Sequence, residues 1–313
     1  MSDEGEIGAP PRRPPQRRLN RVVVDGWINL DKPVGVTSTQ AVARLKRLYN
    51  AKKVGHAGTL DPLASGVLPV AFGEATKAVP VAQDGVKAYR FTVKWGEETD
   101  TDDAEGAVVA RSPRRPSREA IEAATPRFVG LISQTPPTFS AIRVAGERAY
   151  DLARDGEAFV LAPRAVFIHR LTLVEAAANE ARFEAECGKG AYVRALARDL
   201  GRTLDCRGHV VALRRTRVGP FAADGATALE ALERADDPRA ALLPVEAGLA
   251  ELPRLAVDRS GAAALRCGRK LLLRGADAPA EGPAYAACFG APVALGFVEG
   301  GYFVSTRVFN PPA

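Results

Sequence analysis

The sequence predicts an α+β fold in which helices flank a mixed, largely antiparallel sheet. Strand-like and helix-like patterns both occur along the chain, and they do not alternate in a regular βαβ order. The 313 residues are 46% hydrophobic and 26% charged, which is ordinary for globular proteins and excludes a wholly disordered chain. At this length we expect one large domain with a smaller module beside it.

The first half of the chain combines several strands with one clear helix. Thr37 and Gln40 form a capping-box pattern, and apolar residues follow at three-residue steps, which predicts a helix ending near Asn50. Residues 88–95 alternate apolar and polar side chains as a half-buried strand does. Further strands are predicted at residues 22–24, at residues 27–30 and in the apolar run within residues 55–73.

The second half adds helices, strands and a boundary. Helices are predicted at residues 117–128, 190–201 and 228–234, with Gly201 as a stop signal, and strands at residues 166–174 and 181–187. A change of composition near residues 243–253 predicts the end of the large domain. The predicted parts are a disordered basic arm at 1–21, the large domain at 22–250, and a small β module at 251–313 with apolar runs at 271–273, 293–298 and 302–304.

Positive charge gathers in several short segments. Lysine and arginine number 43 against 37 acids, giving a net charge of +6, which suits a polyanionic partner. Residues 10–21 hold five arginines, four prolines and no acid, and they are predicted to be disordered. Candidates for contact with phosphates are Arg44, Lys46, Arg47, Lys52 and Lys53, then Arg214, Arg215 and Arg217, and then Arg266, Arg269, Lys270 and Arg274.

Several classes of protein are excluded by what the chain lacks. The longest uncharged stretch, residues 284–298, has 15 residues and is interrupted by glycine and proline, whereas a membrane-spanning helix needs about 20 apolar residues. The first twenty residues have no apolar block of the kind found in a secretory signal, so we expect a cytoplasmic protein without a membrane partner. The four cysteines form no CxxC pattern, and we therefore predict no structural metal.

Residues 55–66 form the segment that is richest in chemical groups. Three glycines and Pro62 surround His56 and Asp61, and a proline biases the residue before it toward extended or turn backbone. A carboxylate held in this way can act as a nucleophile or a base, although an aspartate before proline is also a common turn former. The chain contains no GxxxxGK[ST], GxSxG or HExxH motif, so the usual markers of phosphate loops, serine hydrolases and zinc proteases are missing.

These residues resemble the bacterial tRNA pseudouridine-55 synthases. The run from Gly58 to Gly66 matches that family's G-x-L-D-P-x-A-x-G loop, in which the aspartate is the catalytic carboxylate. The resemblance continues in order and at familiar spacings over about residues 25–221. Its other segments are 30–35, 87–89, the acidic loop 99–106, 136–141, the arginine motif 188–194 and the leucine segment 209–215.

The resemblance implies a fold, a reaction and a partner. The implied fold is that of the pseudouridine synthases, with an RNA-gripping insertion at about residues 139–163 and a PUA-like β-barrel module at the C-terminus. The implied reaction converts uridine to pseudouridine at position 55 in the T loop of tRNA, after the base has been flipped out of its stack. The implied partner is the T arm of tRNA, and we expect a monomer that needs no cofactor, metal or obligatory protein partner.

The resemblance also assigns roles to individual residues. Asp61 is the essential carboxylate, and Arg194 is its cationic partner. A tyrosine on an alternating strand, as Tyr89 is, more often packs in the core, but the resemblance places Tyr89 against the uracil. The expected catalytic residues are thus Asp61, Tyr89 and Arg194, and the expected substrate-binding residues are His56, which fills the gap left by the flipped base, Tyr192, Leu213, Lys32 and Asp103.

Several alternatives remain open from the sequence. Asp61 can form a covalent adduct or remove a ribose proton to give a glycal. A guide-RNA-directed pseudouridylase and a non-catalytic RNA-binding protein would use similar residues. A magnesium-dependent transferase is a further alternative, because residues 100–102 read Asp-Thr-Asp.

Overall fold

The computed structural model describes residues 20–140, 142–144, 147–148, 159–273 and 280–310. Residues 1–19 of the predicted basic arm lie outside this range, as does Arg274. About half of the predicted RNA-gripping insertion, residues 139–163, also lies outside it.

A ten-stranded sheet forms the large domain. Its strands run in the order β14-β1-β3-β12-β4-β11-β10-β7, with β2 beside β3 and β13 beside β12, while β5 pairs with β6 and β8 with β9 as separate two-stranded units. The β1–β14 and β3–β12 pairs are parallel and the others are antiparallel, which confirms the predicted mixed sheet. The strands are β1 (Gly26–Lys32), β2 (Val54–His56), β3 (Ala64–Phe72), β4 (Lys87–Trp95), β5 (Glu97–Thr99), β6 (Val108–Arg111), β7 (Gly130–Gln134), β8 (Arg143–Val144), β9 (Glu147–Arg148), β10 (Arg164–Ala176), β11 (Glu180–Cys187), β12 (Gly208–Val218), β13 (Phe221–Ala222) and β14 (Thr227–Ala228).

The C-terminal residues form a second sheet of five strands, in the order β15-β17-β18-β19-β16. Three of these strands overlap the apolar runs recognised in the sequence, and the other two were not predicted. The strands are β15 (Arg254–Ala256), β16 (Leu271–Leu272), β17 (Gly282–Cys288), β18 (Ala291–Glu299) and β19 (Tyr302–Val308).

Six α-helices pack around the sheets in the described part of the chain. The first begins after Thr37, whose side chain accepts from the Gln40 amide while the Gln40 side chain accepts from the Thr37 amide, so the predicted capping box is confirmed. The helices are α1 (Ser38–Leu48), α2 (Val79–Asp84), α3 (Arg118–Ala124), α4 (Val193–Thr203), α5 (Leu229–Arg234) and α6 (Arg259–Arg266). None of them is long and apolar enough to cross a membrane.

Three predicted elements differ most from the structure. Residues 22–24 are not a strand, because only Val22 forms an isolated bridge, and β1 instead begins at Gly26. The helix expected at residues 117–128 ends its α-helical part at Ala124, where a 3-10 turn containing Pro126 follows.

The third difference concerns α4, which starts after Tyr192 and continues past Gly201. Gly201 is not a stop signal. A Cβ at this position would lie 2.4 Å from the Gly208 amide nitrogen, so the glycine lets the helix pass close to the start of β12.

The two sheets share a hydrophobic cluster. Trp27 and Phe221 of the large domain pack with Tyr285, Leu295 and Phe309 of the C-terminal part. A polar contact accompanies this cluster, since the carboxylate of Glu74 accepts from the backbone and side-chain nitrogens of Asn310 at 2.7 and 3.1 Å. The C-terminal sheet is therefore held against the large domain by buried apolar surface.

Candidate active site

Asp61 lies in the loop between β2 and β3, and its carboxylate faces Arg194. The Nε atom of Arg194 is 2.9 Å from Oδ2 of Asp61, and the Asp61 side chain is 34% exposed while that of Arg194 is 6% exposed. The Nε–H bond is not aligned with the carboxylate, so the contact is an ion pair rather than a directed hydrogen bond. A buried cation thus lies beside a carboxylate that remains open to solvent on one side.

The guanidinium of Arg194 is fixed by further contacts. Its Nη1 donates to the carbonyl oxygen of Thr101 and its Nη2 to that of Phe139, both at 2.9 Å, and Nη1 lies 3.4 Å from Oδ2 of Asp103. Asp103 is itself held, because its Oδ1 accepts from the Thr101 hydroxyl at 2.6 Å. The cation that faces Asp61 therefore has little freedom to move.

Arg194 is the first of three arginines spaced four residues apart on α4. The next two pair with acids of the segment after β4: Arg198 donates to Asp102 at 2.8 Å, and Arg202 to Glu98 at 2.6 Å. This spacing places all three side chains on one face of the helix. Burial raises the pKa of Asp102 to about 6, against the opposing effect of Arg198.

The acids of the loop at residues 100–103 have partners within the chain. The carboxylates of Asp102 and Asp103 face arginines, and Asp100 accepts from the Ala107 amide at 2.9 Å. The described residues contain no group of three or more His, Cys, Asp or Glu side chains placed to hold a metal ion. The acids of residues 100–103 are thus used to hold the loop and the arginines.

Tyr89 and Arg215 face each other on neighbouring strands. They are paired in the register of β4 and β12, and the charge of Arg215 acts on the Tyr89 hydroxyl. Tyr89 is half-buried and packs against the hydrophobic cluster that includes Leu60 and Leu213. Burial raises the pKa of the Tyr89 hydroxyl, and Arg215 opposes this shift.

Arg215 is not available for phosphates, which corrects the prediction for this residue. It is 2% exposed, and its guanidinium donates to Val67 O at 2.8 Å and to Gly58 O and Thr59 O at 3.1 Å each. It is thus a buried arginine behind the Asp61 loop.

Three other arginines that were predicted to contact phosphates form ion pairs with acidic side chains. Arg214 pairs with both oxygens of Asp31, at 3.0 and 2.8 Å, and Arg217 pairs with Glu251 at 2.6 Å. On α1, Arg44 pairs with Glu233. These three cations are exposed only in part and already have acidic partners.

Tyr192 and Leu213 come from different elements of the fold. The backbone of Tyr192, just before α4, is held by the side-chain amide of Gln134, which accepts from its N–H at 2.8 Å and donates to its carbonyl at 3.1 Å. Leu213 is buried on β12, where it is paired with Ala64 of β3 and Phe91 of β4. Burial raises the pKa of the Tyr192 hydroxyl.

His56 ends β2, five residues before Asp61. It is half-buried, and its Nδ1 is buried without a hydrogen-bond partner among the described residues. Burial, with a further contribution from Arg215, lowers the pKa of the imidazole. The ring is therefore uncharged at neutral pH.

Lys32 lies at the end of β1 and is completely buried. Its Nζ donates to the carbonyl oxygens of Pro33 and Val36 at 2.8 and 2.6 Å. Burial lowers its pKa to about 8, and the nearby Asp61 opposes this shift. Lys32 thus supports the turn beside the loop, and its side chain is not exposed to a substrate.

Sequence reasoning missed several residues that hold this region together. Arg198, Arg202 and Gln134 were not singled out, although the four-residue spacing of arginines and the acidic loop were both visible. The buried role of Arg215 had no local signal, because its backbone partners are about 150 residues away in sequence. Ser38, which hydrogen-bonds Leu60, was likewise overlooked.

The fold and this aspartate–arginine site define a pseudouridylate synthase. The sequence model described as the N-terminal domain of TruB family pseudouridylate synthases matches residues 46–193, and that of the tRNA pseudouridylate synthase B C-terminal domain matches residues 194–250. The chain belongs to the TruB family.

Curated relatives agree with this assignment. Proteins named tRNA pseudouridine synthase B are 59% identical in Bradyrhizobium diazoefficiens, over 94% of this chain and 88% of the relative, and 59% identical in Rhodopseudomonas palustris, over 94% and 83%. The protein of that name in Agrobacterium fabrum is 52% identical, over 96% of this chain and 99% of the relative.

Solved structures share the fold. The crystal structure of a Cbf5–Nop10–Gar1 complex contains a chain that superposes with a TM-score of 0.71 at 26% identity, over 91% of this chain and 85% of that one. The archaeal box H/ACA sRNP Nop10–Cbf5 complex gives a TM-score of 0.70 at 25% identity, over 96% and 89%. The predicted pseudouridine synthase fold is therefore confirmed.

Proposed function

We propose that this chain isomerises uridine to pseudouridine at position 55 in the T loop of tRNA, with Asp61 as the essential group. The observation that carries the proposal is the Asp61–Arg194 ion pair, in which a buried, immobilised cation faces a carboxylate that is one-third exposed. Membership of the TruB family supports both the reaction and the tRNA substrate.

The reaction rearranges bonds without net oxidation or reduction. The bond between N1 of uracil and C1′ of the ribose breaks, the base rotates, and C5 bonds to C1′. N1 then carries a proton, and C5 loses the proton it had. Such a reaction needs a positioned carboxylate and a means of moving one proton.

Asp61 supplies that carboxylate by one of two routes. It adds covalently to the nucleoside, or it removes a ribose proton to give a glycal, and its geometry suits both because one face of the carboxylate is open. Arg194 holds the carboxylate in position through the contact at 2.9 Å.

The aromatic and apolar residues around Asp61 form the pocket for the flipped uracil. Tyr89 stacks on the base and takes part in the final proton transfer, while Tyr192 and Leu213 are walls of the pocket. All three lie near the loop: Tyr89 and Leu213 belong to the cluster around Leu60, and the charge of Asp61 acts on Tyr192.

His56 occupies the space that the flipped nucleotide leaves in the RNA stack. An uncharged ring suits this role, because insertion between bases removes the imidazole from water. Its position at the end of β2 places it at the entrance to the Asp61 loop.

Lys32 and Asp103 contribute indirectly. Lys32 is completely buried and bonds to two backbone carbonyls, while Asp103 is 3% exposed and contacts Arg194. We assign both to the support of the catalytic residues rather than to contact with RNA.

The remaining parts of the chain hold the tRNA. Residues 22–250 form the catalytic domain, with the T arm gripped by residues 139–163, and residues 251–313 form a PUA-like module that contacts RNA. The basic arm at residues 1–21 adds attraction for phosphates that weakens as salt rises.

The chain acts as a cytoplasmic monomer without an obligatory protein partner, cofactor or metal. The name tRNA pseudouridine synthase B that its curated relatives carry supports this proposal. A guide-RNA-directed enzyme would instead need partners to turn over tRNA.

The test is to incubate the purified chain with an unmodified tRNA transcript and to map pseudouridine. We expect pseudouridine at position 55, and EDTA should not affect its formation. The rate should be roughly 10²- to 10⁴-fold lower in Asp61→Asn. Pseudouridine at another position of the tRNA contradicts the proposed specificity for position 55. Full activity of Asp61→Asn contradicts the assigned role of the carboxylate. Activity only with added proteins or guide RNA contradicts the stand-alone enzyme.

A further inference from the structure

The loop that carries Asp61 is held by groups outside it. Arg215 donates to the carbonyls of Gly58 and Thr59 from behind the loop. The amide of Gly35 donates to the carbonyl of Pro62 at 2.8 Å. Leu60, the residue directly before Asp61, lies between these two anchors.

The backbone N–H and carbonyl of Leu60 both bond to one side chain, that of Ser38. The Ser38 hydroxyl donates to the Leu60 carbonyl oxygen at 2.9 Å and accepts from the Leu60 N–H at 2.8 Å. Ser38 is 3% exposed and Leu60 is 4% exposed, so water cannot readily replace these bonds. A hydroxyl can fill both roles because it is a donor and an acceptor at once.

The Ser38 side chain is not needed to cap its own helix. The N-cap of α1 is Thr37, and the Thr37 hydroxyl accepts from the Gln40 amide at 3.1 Å. Ser38 follows as the first residue of α1, and its hydroxyl is directed to the loop. Of these two adjacent hydroxyl groups, that of Thr37 caps the helix and that of Ser38 bonds to the loop.

We propose that Ser38 is a positioning residue that fixes the backbone of Leu60 and thereby the direction of the Asp61 carboxylate. The inference rests on the proposed role of Asp61. With both polar groups of Leu60 held, the next residue enters its turn from one fixed orientation, and its Oδ2 reaches Arg194. Small errors in the placement of a reacting group reduce rates strongly, by about 10²-fold for 1 Å.

The test compares Ser38→Ala with Thr37→Ala, which removes the hydroxyl next to it and weakens the same helix. Single-turnover rates on tRNA transcript, tRNA dissociation constants and melting temperatures are measured for each. For Ser38→Ala we expect a rate roughly 10- to 100-fold lower with tRNA binding unchanged within about twofold. For Thr37→Ala we expect a lower melting temperature and an unchanged rate.

Further variants keep the proposal falsifiable. Ser38→Thr retains the hydroxyl and should recover most of the rate, and Ser38→Cys, of similar size, should behave like Ser38→Ala if the latter does not fold. Equal rate losses in Ser38→Ala and Thr37→Ala would mean that Ser38 acts only through helix stability, which overturns the proposal. A normal rate in Ser38→Ala while Asp61→Asn is inactive overturns the role of Ser38 alone, whereas an active Asp61→Asn overturns the role of Asp61.

Discussion

Gly66 packs against the backbone of Arg215 where β3 and β12 run parallel. A Cβ at Gly66 would lie 2.1 Å from the Arg215 carbonyl oxygen, and Gly66 has φ +104°, which side chains rarely tolerate. This contact brings the strand that follows Asp61 against the strand that carries Arg215. The close approach of the two backbones is thus a requirement for the site.

We expect Gly66→Ala to destabilise the protein by about 3 kcal/mol or more, because backbone strain and overlap with β12 add together. Urea unfolding measures the change. Gly268→Ala is the matched control, since Gly268 has φ +73° but nothing within 4 Å of its Cβ position, and about 1 kcal/mol is expected there. Equal losses in the two variants would argue against the backbone contact.

Replacing Arg215 with lysine should destabilise the fold by roughly 3–5 kcal/mol. The guanidinium reaches three carbonyl oxygens from a buried position, and a single ammonium cannot satisfy all three. Arg214→Lys is the control on the neighbouring residue, whose partly exposed pair with Asp31 is worth at most about 1 kcal/mol. Chemical denaturation of both variants checks this, and a stable Arg215→Lys protein would contradict it.

Arg194→Lys should slow the single-turnover rate roughly 10²-fold and leave tRNA affinity nearly unchanged. Lysine keeps the charge but cannot contact Asp61, Asp103 and two carbonyls at once. Arg202→Lys, two turns along the same helix and half-exposed, should retain its rate. A loss of tRNA affinity without a change in rate would place Arg194 in binding instead.

Lys32 should give the protein a characteristic pH dependence of stability. Its pKa is about 8 in the folded chain and about 10.4 when unfolded, so between these values the unfolded chain binds more protons. The unfolding free energy contributed by Lys32 therefore rises from pH 8 to pH 10. Subtracting the values for Lys32→Met from those for the wild type at each pH should reveal this rise, and a flat difference would contradict it.

The sequence predicted elements whose signals are local. The capping box at Thr37 marked the start of α1, which ends at Leu48 rather than near Asn50, and the alternation at residues 88–95 marked β4. Asp61 and Arg194 were recognised from motifs, and the structure brings them within 2.9 Å. These features depend on neighbouring residues or on a familiar pattern.

What the sequence left unpredicted depends on contacts between distant segments. Gly201 was predicted to end the helix, but the helix continues past it. A glycine is needed there because the start of β12 passes too close for a side chain. Arg215 looked like a phosphate contact, and only the meeting of β3 with β12 shows that its partners are buried carbonyls. The charge of an arginine is visible in a sequence, whereas the backbone that surrounds it is not.

The position of β12 between β3 and β4 has a consequence for synthesis on the ribosome. The two earlier strands cannot complete the centre of the sheet until residues 208–218 have been translated and inserted between them. Until then the nascent polypeptide exposes strand edges and the apolar side chains of β3, a surface that chaperones recognise. Catalytic competence therefore arises only after residue 218 of the 313 has been translated, and not with the first hundred residues that carry Asp61.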